Sequence, residues 1–169
     1  MTNTQKLSKT NELTRAAIVT GLYIAITLAL APVSFGFVQF RVSEAFNFLA
    51  LYNKRYIWAV TLGVAIANFI GSTPVDMVVG GLQTLVFLTI GRFISQKFAG
   101  KRWFGLNSQH LIFNLIFSFS MIVIAVMLTM MYDLPLMFMW GTLFVSEFLI
   151  LFVGGLLFDF MSKFIDFTK

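Results

Sequence analysis

The sequence lacks cysteine entirely and has a single histidine, His110. Without cysteine it can form no disulfide, no thiolate nucleophile and no cysteine-ligated metal site, and one histidine cannot supply a histidine cluster for a metal. It also lacks the motif G-x-x-x-x-G-K-[ST], whose backbone cradles phosphates, because the pair Gly100-Lys101 has no glycine five positions earlier. The chain therefore has no P-loop with which to hydrolyse ATP.

Charged residues are scarce as well: they make up 11% of the 169 residues, against about 25% in soluble domains. Apolar residues make up 59%, against about 45–50%, and the mean hydropathy is +0.88. A domain of this size leaves too much of its surface in water to bury so many apolar side chains. The composition therefore predicts one integral membrane domain over residues 1–169, with a short cytoplasmic tail over about residues 1–14.

Apolar stretches recur along the chain and are separated by short polar turns. They span residues 16–31, 35–51, 56–70, 77–94, 109–132 and 135–158. A helix that crosses the hydrocarbon core needs about 20 residues, so six helices account for roughly 120 residues and leave only turns and tails. We therefore predict an all-α membrane protein with six transmembrane helices.

The basic residues are distributed unevenly over the predicted turns and tails. All of the 12 lysines and arginines except Arg41 fall before helix one, in the second and fourth connections, or after helix six. Cytoplasmic segments collect lysine and arginine, so this pattern predicts that the N and C termini are both cytoplasmic. The net charge of +5 is then a topology signal, and it provides no basic patch for nucleic acid.

Four polar residues fall within predicted helix two: Gln39, Arg41, Glu44 and Asn47. Arg41 and Glu44 are three residues apart, so an α-helix would place them on one face, which Asn47 continues. Ionisable groups are costly in hydrocarbon and normally face a cavity or a partner. They are candidates for a binding site, and the alternative is an ion pair that only stabilises the helix.

Four more polar residues complete the candidate site: Asn68, Asp76, Gln83 and Glu147. Asp76 stands at the predicted start of helix four, where a carboxylate is also favoured by the helix dipole alone. Glu147 lies near the middle of helix six with no basic neighbour in sequence. A carboxylate at that depth indicates a functional site by default, so Glu147 is the strongest single candidate.

Small residues recur at four-residue spacing on two of the predicted helices. Helix one carries Ala17, Gly21, Ala25 and Ala29, and helix three carries Ala59, Gly63, Ala67 and Gly71. Such stripes let another helix approach closely in a membrane. The second helix can belong to the same chain or to a partner protein, and for helix one we favour an external partner.

The run from Ala31 to Ala45, reading APVSFGFVQFRVSEA, carries a family resemblance together with Asn68, Asp76 and Glu147. In these features the chain resembles the QueT family of queuosine-precursor transporters, which are S components of energy-coupling factor (ECF) transporters. The resemblance implies a six-helix bundle of the ECF S-component type in the bacterial plasma membrane, which binds a 7-deazaguanine such as preQ1 or preQ0. It also implies a membrane T component and two cytosolic ATPases as partners.

The resemblance implies a binding role without enzymatic activity or cofactor, and it assigns the stripe of helix one to T-component docking. A guanine-like base offers adjacent N–H donors, which suit a carboxylate acceptor. We expect Glu147 and Glu44 to be the principal ligands, with Arg41 orienting Glu44. The predicted substrate site comprises Gln39, Arg41, Glu44, Asn47, Asn68, Asp76, Gln83 and Glu147, and the predicted docking site comprises Ala17, Gly21, Ala25 and Ala29.

Three other functions remain open on the sequence. The nearest is an S component for another vitamin or heterocycle, because the polar residues do not define a deazaguanine uniquely. Another is a six-helix membrane scaffold that transports nothing. The third is an intramembrane enzyme that uses Glu44 and Glu147 as acid and base, although no nucleophile, metal site or cofactor motif accompanies them.

Overall fold

The structure is a computed structural model that describes residues 9–36, 38–103 and 105–168. Its helices are α1 (Lys9–Ala29), α2 (Ala31–Ser34), α3 (Leu49–Tyr52), α4 (Arg55–Gly71), α5 (Pro74–Ser95), α6 (Ser108–Ser120), α7 (Ile122–Tyr132) and α8 (Leu136–Met161). Two 3-10 helices cover Val42–Phe48 and Gln96–Phe98. Two short strands of two residues each, β1 (Arg102–Trp103) and β2 (Leu106–Asn107), pair antiparallel.

Four helical segments are long and apolar enough to span a membrane: Lys9–Ala29, Pro74–Phe98, Ser108–Tyr132 and Leu136–Met161. Helix α4 is apolar but shorter, with 17 residues. Many large apolar side chains point outward from these helices, as expected where lipid rather than water is the solvent. The prediction of an all-α membrane protein is therefore confirmed.

Two predicted boundaries differ from the structure. The N-terminal tail predicted over about residues 1–14 is helical from Lys9, and residues 1–8 lie outside the described part of the chain. The stretch 35–51 forms no continuous α-helix. It contains a bend at Phe35, an extended backbone at Arg41 with φ −93° and ψ 90°, the 3-10 helix Val42–Phe48 and the short helix α3.

The 3-10 helix Val42–Phe48 lies in the interior, where it packs against α1 and α8. Phe48 is fully buried, and its ring centroid lies 5.4 Å from that of Phe113 on α6. Helix α8 approaches the segment closely, because a Cβ at Gly154 would lie 2.8 Å from the Cβ of Ala45. The broken segment is therefore enclosed by helices, which is where irregular backbone is tolerated at membrane depth.

The two small-residue stripes face different surroundings. On α4, Gly63 lies against α1, since a Cβ there would be 3.0 Å from the ring carbon Cγ of Tyr23. Ala59 and Ala67 are buried beside it. On α1 all four stripe residues are exposed, and a Cβ at Gly21 would meet nothing within 4 Å. The α4 stripe packs within the chain, whereas the α1 stripe remains on its surface.

Candidate functional site

A small cavity of about 20 Å³ lies between the broken segment and helices α4, α5, α7 and α8; we call it the inner cavity. Its walls are formed by Gln39, Arg41, Glu44, Val64, Gly80, Gln83, Thr84, Met121, Ile124, Leu143 and Glu147. Five of the eight predicted substrate residues are among them: Gln39, Arg41, Glu44, Gln83 and Glu147. The structure therefore brings together polar groups that are up to 108 residues apart in sequence.

Glu147 contributes a carboxylate to this cavity without a hydrogen-bond donor. Its side chain is 3% exposed, and Oε1 is buried with no hydrogen-bond partner among the described residues. Glu147 lies eleven residues into α8, about 16 Å from the start of that helix at 1.5 Å per residue. Because a buried polar group without a partner is costly, a bound molecule that donates hydrogen bonds here would be stabilised.

Glu44, in contrast, is already hydrogen-bonded on both carboxylate oxygens. The hydroxyl group of Tyr23 on α1 donates to Glu44 Oε1 at 2.6 Å. Asn47 Nδ2 donates to Glu44 Oε2 at 2.7 Å, so Asn47 holds Glu44 and does not line the cavity itself. Side chains three apart eclipse each other in a 3-10 helix, which explains why Glu44 and Asn47 meet.

Arg41 lies on the cavity wall but forms no ion pair with Glu44 in the described chain. Its Nε donates to the carbonyl oxygen of Ser34 at 3.1 Å, and its guanidinium lies 5.2 Å from the ring centroid of Phe35. The hydrogen bonds that orient Glu44 therefore come from Tyr23 and Asn47, not from Arg41 as expected. Arg41 contributes a positive charge beside the two carboxylates.

Gln83 enters the cavity from α5 and links that helix to α6. Its Nε2 donates to Ser120 Oγ at 2.5 Å, and the Ser120 hydroxyl donates onward to the carbonyl oxygen of Phe117 at 2.5 Å. Gln83 is 5% exposed. Its amide is therefore fixed in orientation, with the side-chain oxygen engaged only by a long contact of 3.4 Å from Thr84.

A second cavity of about 220 Å³, the outer cavity, lies next to the inner one. Its walls are formed by Phe35, Gly36, Gln39, Ser72, Asp76, Leu128, Tyr132 and Leu134. Gln39 lines both cavities, so it stands where they meet. The outer cavity lies at the α4–α5 and α7–α8 turns, which carry no lysine or arginine. The outer cavity thus lies at the less basic end of the molecule.

Asp76 and Asn68 stabilise the junction of α4 and α5 at this end. Asp76 Oδ2 accepts hydrogen bonds from Thr73 Oγ1, at 2.9 Å, and from Ser72 Oγ, while the Asp76 backbone N–H donates to Thr73 Oγ1. Asn68 Nδ2 donates to the carbonyl oxygen of Asp76 at 3.0 Å. Asp76 lines the outer cavity, whereas Asn68 lines neither cavity.

Several residues of the site were not anticipated from the sequence, among them the polar residues Tyr23 and Thr84. Tyr23 is fully buried and supplies a hydrogen bond to Glu44 across 21 positions, a pairing that no spacing rule indicates. Thr84 adjoins Gln83 but has nothing in its sequence context that marks it as a wall residue. Across residues 9–36, 38–103 and 105–168, no cluster of three potential metal ligands occurs.

Comparison with known proteins identifies the family of the chain. A family model described as QueT transporter matches residues 13–163. This range includes every residue that lines either the inner or the outer cavity. The chain belongs to the QueT transporter family. Family membership and the apolar helices make it a multi-pass protein of the bacterial plasma membrane.

One curated relative within this family is described as "Queuosine precursor transporter QueT" and comes from Lactococcus lactis subsp. cremoris (strain MG1363). It is 43% identical over 168 residues, which cover 97% of this chain and 99% of the relative. No solved structure matches the chain significantly. The likeness to the relative therefore extends over nearly the whole of both proteins.

Proposed function

We propose that this QueT-family chain is the substrate-binding S component of an ECF-type transporter and that it captures a queuosine precursor, preQ1 or preQ0, for uptake. Family membership and the relative named as a queuosine precursor transporter support the substrate class. The observation that carries the proposal is the buried Glu147 carboxylate, which faces the inner cavity without a donor. A transporter that must recognise a donor-rich heterocycle needs such an acceptor.

The chemistry of a 7-deazaguanine suits the residues that line the inner cavity, which must widen to admit the base. Its ring N–H and exocyclic amino group are adjacent donors, and Glu147 is the acceptor we assign to them. A carboxylate has about four lone-pair positions, so Glu44 can still accept a bond from the aminomethyl cation of preQ1. Apolar walls formed by Val64, Met121 and Leu143 suit the flat faces of the ring.

We assign supporting roles to the remaining predicted residues. Gln39 and Gln83 offer amide groups to the other polar edge of the base, and Arg41 offsets the charge of the carboxylates. Asn47 acts through Glu44, since its amide already donates to that carboxylate. Asn68 and Asp76 act on the access route, because they fix the α4–α5 turn beside the outer cavity.

We further propose that the chain crosses the membrane six times, with both termini in the cytoplasm. The crossings would be α1, the broken segment from α2 to α3, α4, α5, α6 with α7, and α8. The placement of every lysine and arginine except Arg41 supports this orientation. The outer cavity would then open to the exterior, from which a precursor must be captured.

The ATP-driven step requires partners, because the chain has no P-loop. We propose that a membrane T component docks on the α1 stripe of Ala17, Gly21, Ala25 and Ala29 and that two cytosolic ATPases drive it. The exposure of all four residues supports this role, since small side chains allow another helix to approach closely. The α4 stripe is excluded from such docking because it is covered by α1.

Coexpression with the T component and the ATPases of the same cell tests the docking surface. Gly21→Leu places a large side chain on the open stripe, and we expect it to reduce copurification of the partners at least tenfold while ligand binding is retained. Gly141→Leu on α8 is the matched control, since a Cβ at Gly141 also meets nothing within 4 Å. Equal loss of the partners with both variants would contradict the assignment.

Calorimetry of the purified chain in detergent tests the substrate. We expect saturable binding of preQ1 or preQ0 with an affinity at least tenfold higher than for guanine, and no binding of riboflavin or thiamine. Tighter binding of either vitamin would instead establish an S component for another heterocycle. The absence of saturable binding to every compound would contradict a substrate-binding role.

A further inference from the structure

A third space, a groove of about 440 Å³ between α4 and α5, lies at the other end of the molecule. The groove is lined by Lys54, Ile57, Trp58, Leu85, Thr89, Arg92, Phe93 and Gln96. None of these residues lines the inner or the outer cavity. The rings of Trp58 and Phe93 are 67% and 68% exposed, so the groove opens sideways toward the surrounding lipid.

One end of the groove is positively charged. It holds Lys54 and Arg92, and no carboxylate contributes to its lining. Arg92 Nη1 donates to the carbonyl oxygens of Leu51, at 2.7 Å, and Ala50, which are neutral partners. Neither cation has an ion pair within the part of the chain that the structure describes. The lining therefore carries two positive charges that nothing in it neutralises.

The rest of the groove is elongated and mostly apolar, with Thr89 and Gln96 as its uncharged polar residues. It extends along α5 from Gln96 to Leu85, a distance of about 16 Å at 1.5 Å per residue. Ile57 and Leu85 form its deeper part. Trp58 lies one turn from Lys54. Tryptophan is typically found at the level of the lipid headgroups. The groove thus combines a cationic end with an apolar channel that is much longer than a soluble anion.

We propose that this groove binds an anionic phospholipid, with the phosphate between Lys54 and Arg92 and an acyl chain along Ile57, Trp58 and Leu85. Basic pockets between transmembrane helices hold lipid headgroups in this way. A phospholipid matches both parts of the groove, and it reaches the lateral opening directly from the bilayer. This site is separate from the substrate cavities and does not depend on which substrate the chain carries.

Native mass spectrometry of the purified chain in a neutral detergent tests the proposal, with dioleoyl phosphatidylglycerol and dioleoyl phosphatidylcholine as probes. We expect one phosphatidylglycerol molecule to be retained at concentrations at which phosphatidylcholine is not. Lys54→Gln should lower the apparent affinity for phosphatidylglycerol about fivefold, as removal of one cation near a phosphate predicts. Lys163→Gln is the matched control, because Lys163 is exposed on the same basic side but outside the groove.

A second pair of variants tests the apolar channel. Trp58→Ala should reduce lipid retention, whereas Phe69→Ala should not, since Phe69 is 60% exposed on the same helix but lies outside the groove. Equal retention of the two lipids, or equal effects within either variant pair, would overturn the proposal. Displacement of the lipid by millimolar inorganic phosphate would identify a soluble-anion site instead. A dimer lost selectively with Trp58→Ala would identify a contact between two copies of the chain.

Discussion

At the scale of single residues, the two carboxylates of the inner cavity differ in what they already accept. Glu44 receives hydrogen bonds on both oxygens, whereas Oε1 of Glu147 receives none. A group whose bonds are complete inside the protein is suited to hold its neighbours in position. A group with an open acceptor is suited to a ligand, because binding supplies the donor that folding has left out.

Glu147→Gln should weaken preQ1 binding by about 10- to 100-fold, the range expected from about 1.5–3 kcal/mol for a hydrogen bond to a charged group. The amide keeps the shape of the side chain but replaces one acceptor oxygen by a donor. Calorimetry gives the affinity, and Glu12→Gln on exposed α1 is the control. Unchanged affinity with Glu147→Gln would remove Glu147 from the site.

Tyr23→Phe should lower the free energy of unfolding by about 1–3 kcal/mol, because the fully buried Glu44 loses the donor at 2.6 Å. The measurement is thermal unfolding of the purified chain in one detergent. Tyr132→Phe is the matched control, since Tyr132 is 53% exposed. If the two variants unfold at the same temperature, the Tyr23–Glu44 bond contributes no stability.

The sequence was sufficient to identify which polar residues lie inside the membrane protein. It was not sufficient to identify their hydrogen-bond partners. The predicted residues Gln39, Arg41, Glu44, Gln83 and Glu147 do share the inner cavity. Hydropathy identifies a polar group at membrane depth, yet its hydrogen bonds depend on how helices distant in sequence pack. This is why Tyr23 was missed.

At the scale of elements, the broken segment is the main departure from the predicted helices. Its sequence is apolar on average despite its polar residues, so hydropathy predicts a regular helix here. The segment contains Ser43, Glu44 and Asn47. Asn47 is hydrogen-bonded to Glu44, and both Ser43 and Glu44 are hydrogen-bonded to side chains of α1. A 3-10 helix aligns Glu44 with Asn47, and enclosure by helices removes the penalty of irregular backbone in lipid.

The close approach of α8 to this segment can be tested with two glycines of the same helix. Gly154→Ala should lower the unfolding temperature, since the new Cβ would lie 2.8 Å from the Cβ of Ala45 and 3.1 Å from its Cα. Gly141→Ala should leave it unchanged or raise it, because the site is open and alanine is favoured over glycine in helices by about 0.5–1 kcal/mol. The reverse order would show that α8 does not pack tightly here.

At the scale of the whole molecule, the polar features are separated by position. The outer cavity lies at turns without lysine or arginine, and the groove between α4 and α5 carries Lys54 and Arg92. Helix α1 presents its small-residue stripe outward. On its inward side, Tyr23 is hydrogen-bonded to Glu44 and Thr27 to Ser43. The helix that we assign to partner docking is therefore joined directly to the wall of the substrate cavity. The positions of the basic residues could be predicted from the sequence. The contact between α1 and the cavity wall could not, because it depends on how the helices pack.

The proposed orientation gives a prediction that the absence of cysteine makes simple to measure, because any introduced thiol is the only one in the chain. In intact cells, a membrane-impermeant maleimide should label Val38→Cys and Tyr132→Cys. Lys54→Cys and Lys163→Cys should be labelled only after permeabilisation. All four positions are exposed, so differences in labelling report the side of the membrane.

The pair Val38→Cys and Lys54→Cys decides the number of crossings. Between these positions the chain forms no continuous α-helix. The short helices alone therefore do not show whether this segment crosses the bilayer. Opposite accessibility of the two thiols requires the broken segment to cross, since the chain must change sides between residues 38 and 54. Equal accessibility would make this segment re-entrant, reverse the orientation of one half of the chain relative to the other, and disprove six crossings.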